Sequence, residues 1–167
     1  MLKGEKVLLR PRRTDKDSFL KWFNDLEATQ YLTIALPMME SEKKKWIENL
    51  ATERKGIDVI MAIEDEQSNK AIGNCGLHNI NRIDQHATFG IAIGEKEYWS
   101  KGFGTEATSL MVNYGFEQLN LHRIGSSVYS FNERSLKMHL SLDLKEEGRL
   151  RKRRFKNDWC RPVVFYL

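Results

Sequence analysis

Cysteine is nearly absent from this sequence: Cys75 and Cys160 are the two in 167 residues. So few, so far apart, give neither a disulfide framework nor a metal-ligand spacing, and they read as reduced thiols of a cytoplasmic protein. The four histidines, His78, His86, His122 and His139, also lack the close spacing of a ligand set, so no metal is expected. Long apolar runs are missing as well. No stretch approaches the roughly 20 apolar residues of a membrane span. The first thirty residues are broken by charge every few positions, without the apolar centre of a secretory signal. Three prolines and eleven glycines exclude collagen-like and low-complexity character.

What is present is an ordinary globular composition, 41% hydrophobic and 30% charged. The length suits one domain over 1–167, and no linker or repeat divides it. Lys and Arg number 27 against 23 Asp and Glu, a net charge of +4. That surplus is mild: it suits a phosphorylated small molecule and does not call for nucleic acid.

Glu5 to Arg10 is a β-rich run ended by Pro11. Thr14 opens a capping box ahead of Phe19, Leu20, Trp22, Phe23 and Leu26 at helical spacing. Ser41 caps a second helix carrying Trp46, Ile47 and Leu50. The aromatic set Trp22, Phe23, Tyr31 and Trp46 reads as core. Ile57–Ile63 and Ala71–Leu77 form a hairpin, and His86–Ile93 a further strand. A helix follows in which Phe103, Ala107, Leu110, Met111 and Tyr114 share a face. Then come a strand over His122–Tyr129, a helix capped by Asn132 and running to about Leu142, and strands near Gly148–Phe155 and Val163–Leu167. Leu136, Met138, Leu140, Leu142 and Leu144 alternate as in a strand, against the helix that the asparagine cap favours.

The most informative segment is YWSKGFGTEA, from Tyr98 to Ala107. Glycines at 102 and 104 let the backbone turn through φ > 0 and approach a ligand closely. The amides of the loop and first helical turn lack intrahelical partners, so they can form a nest for phosphate oxygens. Lys101 adds a cation. The segment is neither a Walker loop nor a dinucleotide fingerprint, because the spacing is too short and Ala107 stands where a third glycine would fall.

With FGIAIGEKE before it and NLHRIGSSVYSFNERS after it, this segment resembles the GNAT superfamily of acetyl-CoA-dependent N-acetyltransferases. The likeness is strongest to the branch with the ribosomal-protein N-terminal and spermidine acetyltransferases, and it runs over nearly the whole chain. Gly102 and Gly104 match the family's R/Q-x-x-G-x-G/A loop, with Trp99 in the R/Q position. The resemblance implies an α+β, three-layer GNAT-like domain. Its centre would be a mixed, mostly antiparallel sheet of about seven strands, splayed between the fourth and fifth, with about four flanking helices. It implies that amides of Lys101, Gly102, Phe103, Gly104 and Thr105 hold the pyrophosphate and that Ile91, Ala92 and Ile93 pair with the pantetheine arm. Acetyl-CoA would be co-substrate, and the acceptor a primary amine, either a ribosomal or other protein N-terminus or a small amine. A homodimer is compatible with it.

In the family pattern N-x-x-[SA]-x-x-x-Y-x-x-x-G-F, Asn132 and Ser135 match, while His139, Asp143 and Leu144 depart. Asn132 would contact the cofactor. His139 replaces the tyrosine that protonates the leaving thiolate, and an imidazolium is a competent acid for that step. Ser135 is a second candidate donor. The general base is not identifiable; Glu40, Glu42 and Asp84 qualify only if the fold brings them close. Two other readings stand beside catalysis: a CoA-binding protein without turnover, and an RNA- or ribosome-associated module resting on the basic run Arg149–Arg154.

Overall fold

A computed structural model describes residues 1–11, 18, 21–22, 24–32, 41, 57–156, 158–160 and 162–167. The Thr14 capping box falls outside the described residues, as do Phe19, Leu20, Phe23 and, beyond the helical Ser41, the rest of the helix expected to Leu50.

The strands are β1 (Leu2–Lys3), β2 (Val7–Pro11), β3 (Val59–Asp65), β4 (Ala71–Asn81), β5 (His86–Ile93), β6 (Arg123–Tyr129), β7 (Lys145–Arg149), β8 (Arg154–Lys156), β9 (Asp158–Cys160) and β10 (Pro162–Tyr166). The helices are α1 (Leu26–Thr29), α2 (Phe103–Glu117) and α3 (Glu133–Ser141), with a 3-10 turn at Lys96–Tyr98. One sheet runs β1-β2-β3-β4-β5-β6-β10-β7, and β8-β9 is a separate hairpin. This is the expected mixed sheet, the two-residue β1 being an addition at its edge.

Every pairing in the sheet is antiparallel except β5–β6. A parallel pair needs a crossover, and α2 supplies it, lying across β2, β4 and β5. Ala107, Met111 and Val112 of α2 enter a core with Val7, Leu9, Ile63, Ile72, Leu77, Phe89 and Ile124. A smaller core of Val128, Leu144 and Phe165 seats α3 through Leu136. Burial of such side chains contributes roughly 1.5–3 kcal/mol each.

The feature that makes the site is where β5 and β6 stop pairing. Their register is His86 with Arg123, Ala87 with Ile124 and Thr88 with Gly125, and nothing beyond. Yet β5 runs on to Ile93 and β6 to Tyr129, so the sheet splays into a V.

Two expectations change. The strand placed over Gly148–Phe155 is two elements: Lys145–Arg149 pairs with β10, then the chain turns through Lys152 at φ 53° into the β8–β9 hairpin. A positive φ at Lys152 ends the extended run, which its residue types do not announce. Leu26, expected on a buried helix face, is 81% exposed at the start of α1, whereas Trp22 is buried as read.

Candidate functional site

A cleft of about 520 Å³ occupies the V. Its walls come from four places: β5, the loop into α2, the exposed-edge turns of α3, and α1 with the residues after it. The structure brings Ile91, Ala92, Ile93, Gly102, Gly104, Thr105, Asn132 and Ser135 to this one cleft. It does not bring Lys101, Phe103 or His139 to its lining.

The β5 wall follows from strand alternation. Gly94 N donates to Ile72 O of the β4 side at 2.9 Å. Counting back in twos, Ala92 and Gly90 also face β4, while Ile91 and Ile93 turn their main-chain groups toward the gap. Trp99 Nε1 takes one of these, donating to Ile93 O at 2.8 Å. Trp99 therefore ties the loop to the end of the open strand.

The loop wall is built as its glycines suggest. Gly102 is the N-cap residue of α2 at φ 89°, a conformation side chains rarely adopt. The first α2 amide to bond back is Glu106 N, to Gly102 O at 3.0 Å, so the amides of Phe103, Gly104 and Thr105 are the donors of the helix start without a partner among the described residues. At Gly104 the nearest described atoms to an added Cβ are those of the Ile93, Met138 and Ile91 side chains, at 3.7 to 3.9 Å, which is ordinary contact. Phe103 contributes an amide alone, for its ring is edge-on to Tyr98 at 4.9 Å and packs on the main core. The carbonyl of Lys101 accepts from Lys6 Nζ at 3.2 Å. Lys6, which sequence reading passed over, thus stands at the loop.

Asn132 caps α3: its Oδ1 accepts from Ser135 N at 3.2 Å. Ser135 sits one turn in. His139, a turn further, is 1% exposed and held on both ring nitrogens. Nδ1 lies 2.7 Å from the Ser135 carbonyl, which can only accept, so Nδ1 carries the proton. Nε2 then accepts from Ser126 Oγ at 2.8 Å. Burial pushes the His139 pKa down, outweighing the Ser135 carbonyl. Near neutrality the ring is uncharged and has no nitrogen open to the cleft, which differs from the imidazolium acid expected of it. Ser135 Oγ, 3.4 Å from Nδ1, is the hydroxyl of this pair that reaches the cleft wall.

Sequence reading also missed Arg134. Its guanidinium lies 4.1 Å from the Trp99 ring centroid and 5.4 Å from that of Tyr31, joining the loop to the segment after α1. Tyr31 is accordingly a cleft residue as well as a packing one. Arg134 and Lys137 make the described lining cationic, and no Asp or Glu is among its described residues. The signal was their place two and five residues after Asn132, but only the fold puts Trp99 beneath Arg134.

The end of β5 is fixed by Glu95. Burial pushes its carboxyl up, but hydrogen bonds from Trp22, Lys70 and Lys21 outweigh it and hold the pKa at about 2. Burial pushes the Cys75 thiol up, away from thiolate character. Of the base candidates, Asp84 bonds to Asn81 in the β4–β5 turn, and Glu40 and Glu42 lie outside the described residues. In the basic run, Arg149 pairs with Glu146 at 2.6 Å. Among the described residues no group of His, Cys, Asp or Glu is placed to hold a metal ion, and no helix is long and apolar enough to cross a membrane.

Residues 6–145 match the family model described as an acetyltransferase (GNAT) domain. An uncharacterised N-acetyltransferase of Bacillus subtilis, YoaA, is 32% identical over 164 residues, covering 94% of this chain and 89% of that protein. The spermidine N(1)-acetyltransferase of Escherichia coli is 34% identical over 88 residues, 53% of this chain and 47% of that one. The crystal structure of spermidine N-acetyltransferase from Vibrio cholerae with CoA and spermine superposes with a TM-score of 0.88 at 24% identity, covering 98% of this chain and 96% of that one.

Proposed function

Since the chain belongs to the GNAT acetyltransferase family and is an acyltransferase, we propose that it moves the acetyl group of acetyl-CoA directly onto a primary amine, held with it in one complex. One observation carries this reading: Gly104 and Thr105, whose amides have no partner among the described residues, line a cleft that the open end of β5 also lines, with the amide of Phe103 beside them. A helix start carries roughly half a positive charge, which favours a diphosphate there. Gly104 leaves the room for its oxygens, and Lys6, Arg134 and Lys137 supply cations around it. The main-chain groups of Ile91, and the N–H of Ile93 whose carbonyl Trp99 occupies, offer the amides of a pantetheine arm the pairing that a neighbouring strand would give.

The donor and acceptor groups then divide the work. Asn132 orients the arm from the α3 side. The Ser135 hydroxyl donates toward the leaving sulfur, and neutral His139 fixes the turn of α3 that presents it. The buried Cys75 is no nucleophile, which suits direct transfer without an acyl-enzyme. The cationic lining supports a peptide or protein N-terminus over a polyamine as acceptor, because a polycation would be repelled.

Calorimetry with acetyl-CoA on Gly104→Glu tests the site, since the carboxylate enters the phosphate nest. Binding in the wild type and none in the variant is expected, and unchanged affinity sinks the assignment. Thiol release with spermidine, small amines and a peptide bearing a free N-terminus then reads the acceptor.

A further inference from the structure

The face of β4 and β5 away from α2 carries a second polar assembly. His78 lies opposite Thr88, and Gly76 opposite Gly90, so all four belong to one face. Asp58, its side chain 2% exposed, places Oδ2 3.3 Å from His78 Nδ1, and its Oδ1 accepts from Asn79 N at 2.9 Å. The carboxylate is thus fixed from two sides. It can only accept, so Nδ1 bears the proton and Nε2 presents its lone pair. No hydrogen bond engages Nε2 among the described residues. The ring is a third exposed and leans across β5: where Gly90 lacks a Cβ, the nearest described atoms are His78 Nε2 at 3.5 Å and Cδ2 at 3.6 Å.

Gly90 sits two residues past Thr88, the last residue of β5 paired with β6. The imidazole therefore stands beside the vertex of the V, on the face opposite the helix that bears the phosphate nest. A thioester carried down the V from that nest would end at this vertex; His78 is not part of the described cleft lining but stands on the other face of the sheet there, which leaves that face for an attacking amine. A carboxylate orienting a histidine whose other nitrogen is open is the arrangement of a general base.

The geometry points to His78, oriented by Asp58, as the base that deprotonates the acceptor amine, an inference that rests on the acetyl-transfer reading above. The ammonium gives one proton to Nε2, and the imidazolium formed is compensated by Asp58. The freed lone pair attacks the thioester carbonyl carbon; a C–N bond forms and the C–S bond breaks. The sulfur leaves with the bonding pair and ends protonated by the second proton lost from nitrogen, relayed through the Ser135 hydroxyl. His78 returns its proton to water. Products are the amide, the free thiol and one proton.

The experiment measures thiol release from acetyl-CoA with spermidine, small amines and a free-N-terminus peptide, beside calorimetry of CoA, in wild type, His78→Gln and His78→Ala. Expected is a loss of about 100-fold or more in kcat for both variants, CoA affinity within twofold of wild type, and recovery of the alanine variant by added imidazole. Turnover within twofold of wild type in His78→Gln, or a loss that imidazole leaves untouched, overturns the base. A wild type that binds CoA yet releases thiol with no amine overturns the transfer reading itself, and the base falls with it.

Discussion

At the scale of single residues, His139 shows how burial can reverse a role that residue type suggests. Its ring is enclosed between α3 and β6 and stays neutral because both nitrogens have partners that suit the uncharged tautomer. Its pKa in the folded chain lies below the usual 6.5. As pH falls through 6.5 the unfolded chain takes up the proton and the folded one does not, so unfolding is favoured. This contribution to stability is full above pH 6.5 and is lost as pH drops toward the folded value. The window lies above the Glu95 titration, which burial and its three donors place near 2. Urea midpoints at pH 7.5 and 5.5 should therefore fall in the wild type and fall less in His139→Gln. The variant should also lose about 1–3 kcal/mol at pH 7.5, because Ser126 and the Ser135 carbonyl lose a matched partner. Equal pH slopes in the two proteins contradict this account.

At the scale of elements, α3 was readable from its first residue but not from its apolar pattern. Leu136 to Leu144 alternate in sequence, yet the segment is helical as far as Ser141. The inward residues are Asn132, Ser135, Leu136 and His139, at spacings of three and four, while Leu140 is 58% exposed. Leu142 and Leu144 belong to the turn and to the approach of β7, so the alternation crosses an element boundary. The cap settled the matter because it is local chemistry: Asn132 Oδ1 answers one of the four orphan amides. The same locality made the Gly102 loop legible. It also explains what was hidden. Arg134 over Trp99, Lys6 on Lys101 and Asp58 behind His78 join residues that only the sheet brings together. β7 was misplaced because Lys152 turns the chain at a positive φ without glycine. Asn132 can be divided between its two duties. Asn132→Ser keeps a good cap but shortens the side chain, so stability should hold within about 0.5 kcal/mol. Its affinity for CoA should weaken about fivefold, the worth of roughly one hydrogen bond. Asn132→Ala should lose about 1 kcal/mol of stability in addition. Thermal melts and calorimetry separate the two, and unchanged CoA affinity in both variants reduces Asn132 to a cap.

At the scale of the whole molecule, the sheet is two half-sheets joined at three residue pairs. β2 to β5 share the core under α2, which Ile124 of β6 also enters, whereas Val128 of β6, Phe165 of β10 and Leu144 just ahead of β7 form the smaller one beside α3. Past Thr88 and Gly125 the halves separate, and the cleft between them touches both α2 and α3. A ligand that fills the V acts as the missing strand contact and couples the halves. If CoA binds only the folded chain, saturation at a hundredfold above its Kd adds about 2.7 kcal/mol and should raise Tm by roughly 5–11 °C for a protein of this size. A nucleotide diphosphate lacking the pantetheine arm engages the nest alone, so it stabilises without bridging. Hydrogen exchange distinguishes the two ligands. CoA should slow exchange at Ile91 on one lip and at residues 126–129 on the other, whereas ADP, at the same fractional occupancy, should leave both lips unprotected and slow only the amides of residues 103–105. Protection of both lips by ADP would mean the halves are coupled by something other than the arm, and the strand-like seating of pantetheine along β5 would be wrong.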